Sequence, residues 1–340
     1  MEQLTFVGPR HLEWQEVPDP TLSTPQSALV RPVAVATCDL DLGIITGEAP
    51  LPGPFAFGHE FVGDVIAIGD EVRTTAIGRR VVVPFQINCG TCDPCTRGVT
   101  GSCAQVPLMA SYGLAPFSRE YGGALSDLVE VPYADAMLVA LPEGIDPAAA
   151  ASVSDNVPDG WRAVAPYLAD RPGAPVLVLG GAGGGSVGLY AAAVAVALGS
   201  ERVDYVDEDP DRLTVAASVG ANPIPGPIAK RYGPYPITVN HTTEPTGLAT
   251  ALKSTEAGGT CTSTTVYFGR DITIPMLEMY TRGVTLTTSR VSARAAIPSV
   301  LDLMTSGRLH PELVTASVVD WADAADALTE HTHKTVVVRR

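Results

Sequence analysis

Four closely spaced cysteines constrain the fold of this chain more than any other feature of its sequence. The cluster comprises Cys89, Cys92, Cys95 and Cys103, separated by two, two and seven residues. Four thiolates at this spacing can close a tetrahedron around Zn²⁺ without a large fold beneath them. Because all four ligands are cysteines, no position is left for a substrate. The spacing therefore predicts a structural zinc lobe at about residues 86–106, in which glycines allow the backbone to turn between the ligands.

Disulfide bonds and unused thiols are the alternatives to a metal. Thiols two residues apart make strained disulfides, and residues 1–20 carry charges and prolines instead of the apolar run of a secretory signal. No later apolar run reaches the roughly 20 residues of a membrane-spanning helix. The sequence therefore predicts a cytoplasmic protein with reduced thiols and no membrane partner. Its net charge of −15 also argues against a nucleic acid partner, since an acidic surface repels phosphates.

The 340 residues are enough for two domains, and the sequence changes in character between them. Up to about residue 139, short apolar runs alternate with glycine and proline, a pattern typical of strands joined by turns. The segment Gly69–Val83 is predicted to form a strand, a polar turn and a second strand. From Pro147 an alanine-rich stretch predicts a helix that continues past Trp161.

After that helix, the pattern alternates between strands and helices. Strands are predicted at Pro175–Leu179, Arg202–Asp207, Ile237–Asn240, Gly259–Thr265 and Val284–Thr288, and helices at 185–198 and Pro210–Val219. This alternation predicts a parallel sheet with helices on both faces. A last helix near Ala295–Ser306 and a strand at Thr335–Arg339 are predicted to return to the first domain. The expected divisions are a first domain at 1–150, a second at 151–290 and a return at 291–340.

A glycine-rich turn stands at the start of the alternating region. Gly183, Gly185 and Gly188 form a Gly-x-Gly-x-x-Gly motif between a predicted strand and a predicted helix. In this context the motif indicates a dinucleotide site, where free amides at a helix N-terminus hold the pyrophosphate. Asp207, at the end of the next strand, would accept hydrogen bonds from ribose hydroxyls and repel a 2′-phosphate, which favours NAD over NADP. A glycine-rich turn in an unrelated α/β domain is the alternative.

Three dispersed residues suggest a second metal site. Cys38 follows an apolar run, His59 follows a glycine, and Asp155 lies in a Ser-Asp-Asn segment. A thiolate, an imidazole and a carboxylate would leave one position of a zinc ion open to water or to an alcohol oxygen. On spacing alone, each of these residues is more often structural than metal-binding.

Taken together, these motifs resemble the zinc-containing alcohol dehydrogenases of the medium-chain dehydrogenase/reductase family. The segment Gly58-His-Glu-Phe-Val-Gly matches the family's Gly-His-Glu signature, and the cysteine cluster lies at the expected place. The segment Ser154-Asp-x-x-Pro-x-Gly is similar to the branch that contains glutathione-independent formaldehyde dehydrogenases and their polyol- and alcohol-oxidising relatives. The resemblance covers nearly all of the chain.

The resemblance implies an α/β fold, with a GroES-like, β-rich catalytic domain and a Rossmann domain built on a doubly wound parallel sheet. By position, Cys38, His59 and Asp155 would hold a catalytic zinc, with Glu60 as a spare ligand. Two Zn²⁺ per chain and NAD are the implied cofactors, NAD being favoured over NADP. The predicted cofactor-binding residues are Gly183, Gly185, Ser186, Val187, Gly188, Asp207, Arg212 and Val266. A homodimer or homotetramer is expected, as is usual in the family.

Two features depart from the family's pattern. The second residue after the metal cysteine is usually Ser or Thr, whose hydroxyl passes the alcohol proton outward, but here it is Leu40. Asp39, a water chain or another group would then carry the proton, although Asp39 is also interpreted as a solvated turn residue. The run of small residues before Ser186 is longer than usual, which leaves open which glycines contact the pyrophosphate.

The implied activity is that of a zinc- and NAD(P)-dependent alcohol dehydrogenase, which transfers a hydride between an alcohol or polyol, or its aldehyde or ketone, and NAD. Loops near residues 47–57, 109–117 and 270–294 are expected to line the pocket of this small-molecule substrate. An aldehyde dismutase and a biosynthetic cyclitol or sugar dehydrogenase are alternatives of the same fold, as is a zinc-free quinone reductase, against which the metal residues argue. A non-catalytic protein that binds NAD or zinc is the alternative of another class, favoured only by Leu40.

Overall fold

The computed structural model of the chain describes residues 1–114, 119–181, 183, 185–269, 271–330 and 333–340, with Arg119 described in its backbone only. The strands are β1 (Glu2–Gly8), β2 (His11–Glu16), β3 (Ala28–Ala36), β4 (Phe55–Ala56), β5 (Glu60–Ile68), β6 (Arg80–Val83), β7 (Val129–Val131), β8 (Val139–Ala140), β9 (Val176–Leu179), β10 (Val203–Asp207), β11 (Asn222–Pro225), β12 (Tyr235–Asn240), β13 (Thr255–Ser263), β14 (Thr285–Thr288), β15 (Ser317–Asp320) and β16 (Thr335–Val338). The helices are α1 (Asp39–Thr46), α2 (Asp93–Thr96), α3 (Ala134–Met137), α4 (Pro147–Ala150), α5 (Asn156–Asp170), α6 (Ser186–Ala197), α7 (Pro210–Ser218), α8 (Gly247–Ser254), α9 (Met276–Arg282), α10 (Ala293–Thr305) and α11 (Ala324–Glu330). Short 3-10 helices lie at Thr100–Ser102, Arg119–Tyr121, Ala151–Ser154, Pro311–Val314 and Trp321–Asp323. None of the described helices has both the length and the apolar character needed to cross a membrane.

Contacts divide the chain into two compact units. The first unit contains Met1–Pro158, Ser292–Thr305 and Thr315–Arg340, and the second contains Asp159–Val291 and Ser306–Val314. The second unit is therefore made of chain that is inserted between parts of the first. The chain leaves the first unit near the start of α5.

The first unit is built from two largely antiparallel sheets, as expected for short apolar runs separated by glycine and proline turns. In the larger sheet the strands lie in the order β15-β16-β3-β5-β6-β8, and β7 also pairs with β3. The smaller sheet has the order β2-β1-β4. Within the larger sheet, β15 and β16 run parallel to each other, whereas β16 is antiparallel to β3.

A large apolar cluster fills much of the interior of the first unit. Its largest fully buried side chains include Leu4, Phe6, Phe57, Phe61, Tyr112 and Met137. Phe61 follows directly after the predicted site residues His59 and Glu60. Because the Phe61 ring is held in the core, the backbone that carries these two residues is held there too.

The second unit contains a parallel sheet with the order β11-β10-β9-β12-β13-β14 among its described strands. The strand order reverses beside β9, and β9 pairs in parallel with both β10 and β12. Ligands of doubly wound sheets bind at the carboxyl ends of the strands at such a reversal. Helix α6 packs against β9 and β10, and its alanine- and valine-rich residues 186–195 are buried. The predicted α/β class with a doubly wound parallel sheet is confirmed.

The strand predicted in the first part of Gly69–Val83 is wrong. Only Arg80–Val83 forms a strand there, and residues 69–79 are turns and irregular chain. Gly69 donates a backbone hydrogen bond to the carbonyl of Ser27 at 2.8 Å, and a Cβ at Gly69 would lie 2.2 Å from the carbonyl oxygen of Pro25. This close approach of two backbones ends β5 at residue 68.

The strand predicted at Gly259–Thr265 also differs in its bounds, since β13 begins earlier and ends at Ser263. Its neighbour β12 ends at Asn240, which is paired with Ser263. With no partner strand beyond this pair, Thr264 instead donates its backbone N–H to the carbonyl of Asn240 at 3.0 Å. The predicted cofactor residue Val266 therefore lies in the loop after β13.

Candidate metal centres and cofactor site

The cysteine cluster (Cys89, Cys92, Cys95 and Cys103) is assembled as a group of potential metal ligands. One Sγ atom from each residue lies within 4.8 Å of all the others. The six cysteines of the chain all lie in the described part, and each carries a free thiol, so the disulfide alternative is not adopted. Helix α2 carries Cys95, and the 3-10 helix Thr100–Ser102 leads to Cys103.

Backbone amides point at the sulfur atoms of the cysteine cluster. Thr91 N donates to Cys89 Sγ at 3.4 Å, and Ala104 N donates to Cys92 Sγ at 3.4 Å. Burial disfavours the Cys89 thiolate, but the N–H donors of Thr91 and Cys92 outweigh it and lower the pKa of Cys89 to about 6. Burial raises the pKa of Cys95 to about 12. A cation bound among the four sulfurs would lower the pKa of each thiol and so favour the thiolate form of all four cysteines.

A second group of potential ligands, here called the mixed group, comprises Cys38, His59, Glu60 and Asp155. One donor atom from each lies within 4.8 Å of the others. The structure thus brings together residues that are far apart in sequence. Cys38 caps the N-terminus of α1, where Leu40 N donates to its Sγ at 3.5 Å. Glu60 begins β5, and His59 immediately precedes it.

Ser154 explains why Asp155 reaches the mixed group. The Ser154 Oγ accepts a hydrogen bond from Phe61 N at 2.9 Å and donates to the carbonyl of Val83. These bonds tie the chain to β5 and β6, and Asp155 then adopts φ −151° and ψ −72°. The helix predicted from Pro147 past Trp161 is therefore interrupted. Helix α4 and the 3-10 turn that follows it end at Ser154, and α5 begins after the break at Asp155 and continues to Asp170.

His59 lies between two carboxylates. Its Nδ1 is 3.5 Å from Asp41 Oδ1, and its Nε2 is 3.6 Å from Asp155 Oδ2. Burial disfavours the imidazolium, but Asp41 and Asp155 outweigh it and raise the pKa of His59 to about 9. Asp41 also accepts from Cys38 N at 2.8 Å. It thereby orients both the imidazole and the start of α1, as carboxylates behind metal-binding histidines do.

Asn156 and Lys334 complete the surroundings of the mixed group. Lys334 Nζ donates to Glu60 Oε2 at 2.8 Å and to Asn156 Oδ1 at 2.9 Å. Asn156 Nδ2 donates to Cys38 Sγ and to Asp155 Oδ2, each at 3.2 Å. The sequence motifs do not predict a role for Asn156, Lys334 or Asp41. Asp41 and Asn156 are close in sequence to predicted ligands, whereas the only signal from Lys334 was a charge directly before an apolar strand.

The mixed group fits a zinc ion. His59 Nε2 and Glu60 Oε1 are buried and lack a hydrogen-bond partner among the described residues, although buried polar atoms are normally paired. Burial, with the neighbouring charge of Asp155, raises the pKa of Glu60 to about 8 and that of Cys38 well above its usual range. A divalent cation would satisfy the unpaired atoms and offset the crowded negative charge. Sulfur, nitrogen and oxygen donors together are the set that zinc accepts.

The structure does not gather the residues predicted for proton transfer and for the substrate pocket into one site among the described residues. Leu40 packs against the apolar cluster of the first unit, and Asp39 is half-buried as the first residue of α1. Of the loops predicted to line the pocket, residues 115–117 and Arg270 lie outside the described residues. Met276 and Tyr280, in the predicted loop 270–294, are 61% and 83% exposed.

The glycine-rich turn leads into α6. Gly185 caps this helix with φ +76°, and a Cβ there would lie 2.4 Å from the Cδ of Arg212. Only glycine meets both conditions. Ser186, Val187 and Gly188 follow as the first turn of α6, where free amides favour an anion. Gly183 also has a positive φ of 48°, while Ala182 and Gly184 lie outside the described residues.

Asp207 and Arg212 form a bidentate ion pair at the end of β10. Arg212 Nε lies 2.8 Å from Asp207 Oδ2, and Arg212 NH2 lies 2.8 Å from Oδ1. Tyr205 OH also donates to Asp207 Oδ2 at 3.0 Å. Burial opposes ionisation, but these donors prevail and lower the pKa of Asp207. An ionised carboxylate therefore stands beside the glycine-rich turn, while the predicted cofactor residue Val266 is 63% exposed.

Comparison with known proteins agrees with this architecture. Residues 24–143 match the alcohol dehydrogenase GroES-like domain family. A probable zinc-binding alcohol dehydrogenase of Mycobacterium tuberculosis is 32% identical over 315 residues, which cover 91% of this chain and 79% of that protein. A glutathione-independent formaldehyde dehydrogenase of Pseudomonas aeruginosa is 35% identical over 232 residues, which cover 64% of this chain and 56% of that protein. The solved structure of alcohol dehydrogenase TADH from Thermus sp. ATN1 matches with a TM-score of 0.87 at 28% identity, over 100% of both chains.

The matched domain and the doubly wound sheet define an oxidoreductase of the medium-chain dehydrogenase/reductase class. Within that class, the chain belongs to the zinc-binding alcohol dehydrogenase family. The resemblance predicted from the motifs is confirmed, and so is the pairing of a GroES-like domain with a Rossmann domain.

Proposed function

We propose that this protein is a zinc-dependent alcohol dehydrogenase that transfers a hydride between an alcohol or polyol and NAD. The observation that carries the proposal is the mixed group, in which thiolate, imidazole and carboxylate donors converge with unpaired buried atoms. The cysteine cluster would hold a second, structural zinc. The alcohol dehydrogenase and formaldehyde dehydrogenase named above support the reaction class.

In this proposal, Cys38, His59 and Asp155 would hold the zinc, which as a Lewis acid lowers the pKa of an alcohol oxygen. The carboxylate of Asp41 holds the His59 ring in place from the side away from Asp155. Asn156 steadies the sulfur of Cys38 through its amide N–H. These residues position the donors before substrate arrives, which is the protein's main contribution to such a reaction.

The proton of the alcohol needs a path that does not pass through residue 40. Leu40 has no polar atom in its side chain, and it contacts the apolar cluster. We propose that water reaches the site and that Asp39, beside Cys38 at the start of α1, accepts the proton from it. A serine at position 40 would offer a second route, so Leu40→Ser is expected to make the rate less dependent on Asp39.

The proposed dinucleotide is NAD, which accepts the hydride. Its pyrophosphate would lie at the N-terminus of α6, against Gly185, Ser186 and Val187. Asp207, held ionised by Arg212, would accept hydrogen bonds from the adenosine ribose. A 2′-phosphate at that place would meet the negative charge of Asp207, which supports NAD as the preferred dinucleotide.

A screen of alcohols, polyols and aldehydes with NAD and NADP, run with zinc quantification, tests the proposal. We expect two zinc ions per chain and NAD reduction with at least one alcohol. Asp155→Ala should lose one zinc and the activity, whereas the exposed Asp170→Ala should keep both. One zinc per chain and no turnover across the screen would contradict the proposal and favour a non-catalytic protein.

A further inference from the structure

A buried lysine that is far from the mixed group in sequence contacts it in the fold. The side chain of Lys334 is 2% exposed, and that of its ion-pair partner Glu60 is fully buried. A buried charge is stable only if it is paired and hydrogen-bonded. Lys334 meets this condition by donating to Glu60 Oε2 and to Asn156 Oδ1. Lys334 thus holds one Glu60 oxygen, Oε2, while the buried Oε1 has no hydrogen-bond partner among the described residues.

Lys334 also decides which way the amide of Asn156 points. An ammonium group only donates hydrogen bonds, so the atom of Asn156 that faces Lys334 must be the carbonyl oxygen. The amide nitrogen must then face the other side, where it donates to Cys38 Sγ and Asp155 Oδ2. Lys334 therefore orients Cys38 and Asp155 indirectly, through the amide of Asn156.

We propose that Lys334 and Asn156 are positioning residues of the mixed group, which together keep Glu60 outside the coordination sphere of the metal and reserve the fourth position for substrate. This inference rests on the proposed function of the same site. Lys334 holds Glu60 by an ion pair, and Asn156 holds the two anionic ligands on the opposite side of the amide. Neither residue touches the reacting atoms.

The charges at the site give the physical reason. Glu60, Cys38, Asp155 and Asp41 are four acidic groups near one another, and Lys334 and a divalent metal are the cations that oppose them. If Lys334 is replaced by an apolar residue, the buried carboxylate of Glu60 keeps its need for a cation. A metal held by Cys38, His59 and Asp155 would then be a cation within reach of Glu60. Glu60 would become a fourth protein ligand in the position reserved for substrate.

Cobalt substitution makes this change visible, because imidazole added to the protein replaces a water ligand of Co²⁺ and shifts its visible absorption, whereas it cannot enter a position that Glu60 fills. The experiment uses the full chain loaded with Co²⁺ at both sites. A Cys38→Ala variant, which retains the cysteine cluster, provides the spectrum to subtract. The variants compared are Lys334→Met, Lys334→Arg and Lys334→Met combined with Glu60→Gln. The exposed Lys230→Met serves as the control for loss of a lysine.

We expect Lys334→Met to retain two metal ions and to lose the shift in visible absorption on adding imidazole, with activity lowered about 10- to 100-fold, as is typical for residues behind metal ligands. Lys334→Arg and Lys230→Met should resemble the parent protein. Adding Glu60→Gln to Lys334→Met should restore the imidazole-induced shift, because residue 60 no longer carries a carboxylate that could bind the metal. A variant that only misfolds would not be rescued in this way.

Asn156→Leu tests whether Asn156 holds Cys38 and Asp155 in place, since leucine has a similar size and no hydrogen-bond donors. We expect it to weaken metal binding at the mixed group about 10- to 100-fold in competition with a chelator. Two metal ions with an unchanged imidazole-induced shift in Lys334→Met, or unchanged metal affinity in Asn156→Leu, would overturn this inference and leave the proposed function standing. Cobalt uptake at the cysteine cluster alone in the parent protein would overturn both.

Discussion

At the scale of single residues, Asp207 and Arg212 show how one ion pair can prepare a binding site. The pair holds a carboxylate ionised beside a turn whose backbone approaches closely enough to exclude any side chain. The same guanidinium that holds Asp207 also fills the space above Gly185. A dinucleotide entering the site would therefore meet a charged, oriented acceptor without rearrangement of Asp207.

The preference for NAD is expected to depend on Asp207. Replacing it with serine removes an ionised acceptor, and hydrogen bonds to charged groups contribute about 1.5–3 kcal/mol. We expect Asp207→Ser to weaken NAD binding about tenfold or more and to improve the use of NADP. Steady-state kinetics with both dinucleotides measure the change. Asp209→Ser, which alters a different partner of Arg212, is the control, and an equal change in both variants would contradict a specific role for Asp207.

The mixed group shows how far residues can be predicted from sequence. The resemblance to a known family predicts four residues of this site, and the structure places their donor atoms together. They are Cys38, His59, Glu60 and Asp155. The residues around them carry no motif. Lys334 pairs with Glu60 across 274 positions of sequence, and only the fold, through the pairing of β16 with β3, brings it to the site.

At the scale of elements, the cysteine cluster depends on one tight turn. Gly90 has φ +74°, and a Cβ there would lie 2.7 Å from the Cβ of Ala136 in α3. The turn is therefore packed against a helix that supplies no ligand. The lobe is held by this contact as well as by the sulfur atoms.

Gly90→Ala is expected to destabilise the lobe more than a matched change elsewhere. A left-handed backbone costs a non-glycine residue about 1–2 kcal/mol, and overpacking adds about 1–3 kcal/mol. Gly78→Ala, with φ +84° and no atom within 4 Å of its added Cβ, carries the first cost alone. Thermal unfolding with zinc quantification should show a lower midpoint and faster zinc loss in Gly90→Ala. Equal midpoints in the two variants would contradict the role of the Ala136 contact.

Strands of the second unit were easier to predict than breaks in the first. Buried parallel strands such as β9 and β10 are nearly continuous apolar runs, and periodicity detects them. Strand β11 has the sequence Asn-Pro-Ile-Pro, which reads as a turn, yet it forms an edge strand where prolines need not donate. The break at Asp155 depends on the hydrogen bonds of Ser154 to distant strands, which no local pattern reveals.

At the scale of the whole molecule, helix α9 presents an apolar surface. Met276, Leu277 and Tyr280 are 61%, 75% and 83% exposed, and no residue of α9 is buried. Strand β14 follows α9 in the chain and is an edge of the parallel sheet as described, so its outer backbone groups are open to pairing. Exposed apolar side chains on a helix and an open edge strand are both typical of an interface, and we propose a second copy of this chain as the occupant.

The proposed interface predicts a change of oligomeric state. We expect the parent protein to be a dimer or tetramer in light scattering and Leu277→Glu combined with Tyr280→Glu to shift it toward smaller species. Val318→Glu, at a 53% exposed apolar residue of the first unit, should leave the assembly unchanged. A parent protein that is monomeric at micromolar concentration, or an assembly unaffected by the double substitution, would contradict this proposal.

The distance in sequence between Glu60 and Lys334 has a consequence for synthesis. The ribosome delivers Glu60 early, and 274 positions separate it from the lysine that neutralises it. The whole second unit is translated in that interval. Until then, the core around β5 contains an unpaired carboxylate, which opposes its burial. We therefore expect the polar centre of the first unit to close only after Lys334 has left the ribosome, so that a chain arrested earlier would stay open to proteases and chaperones.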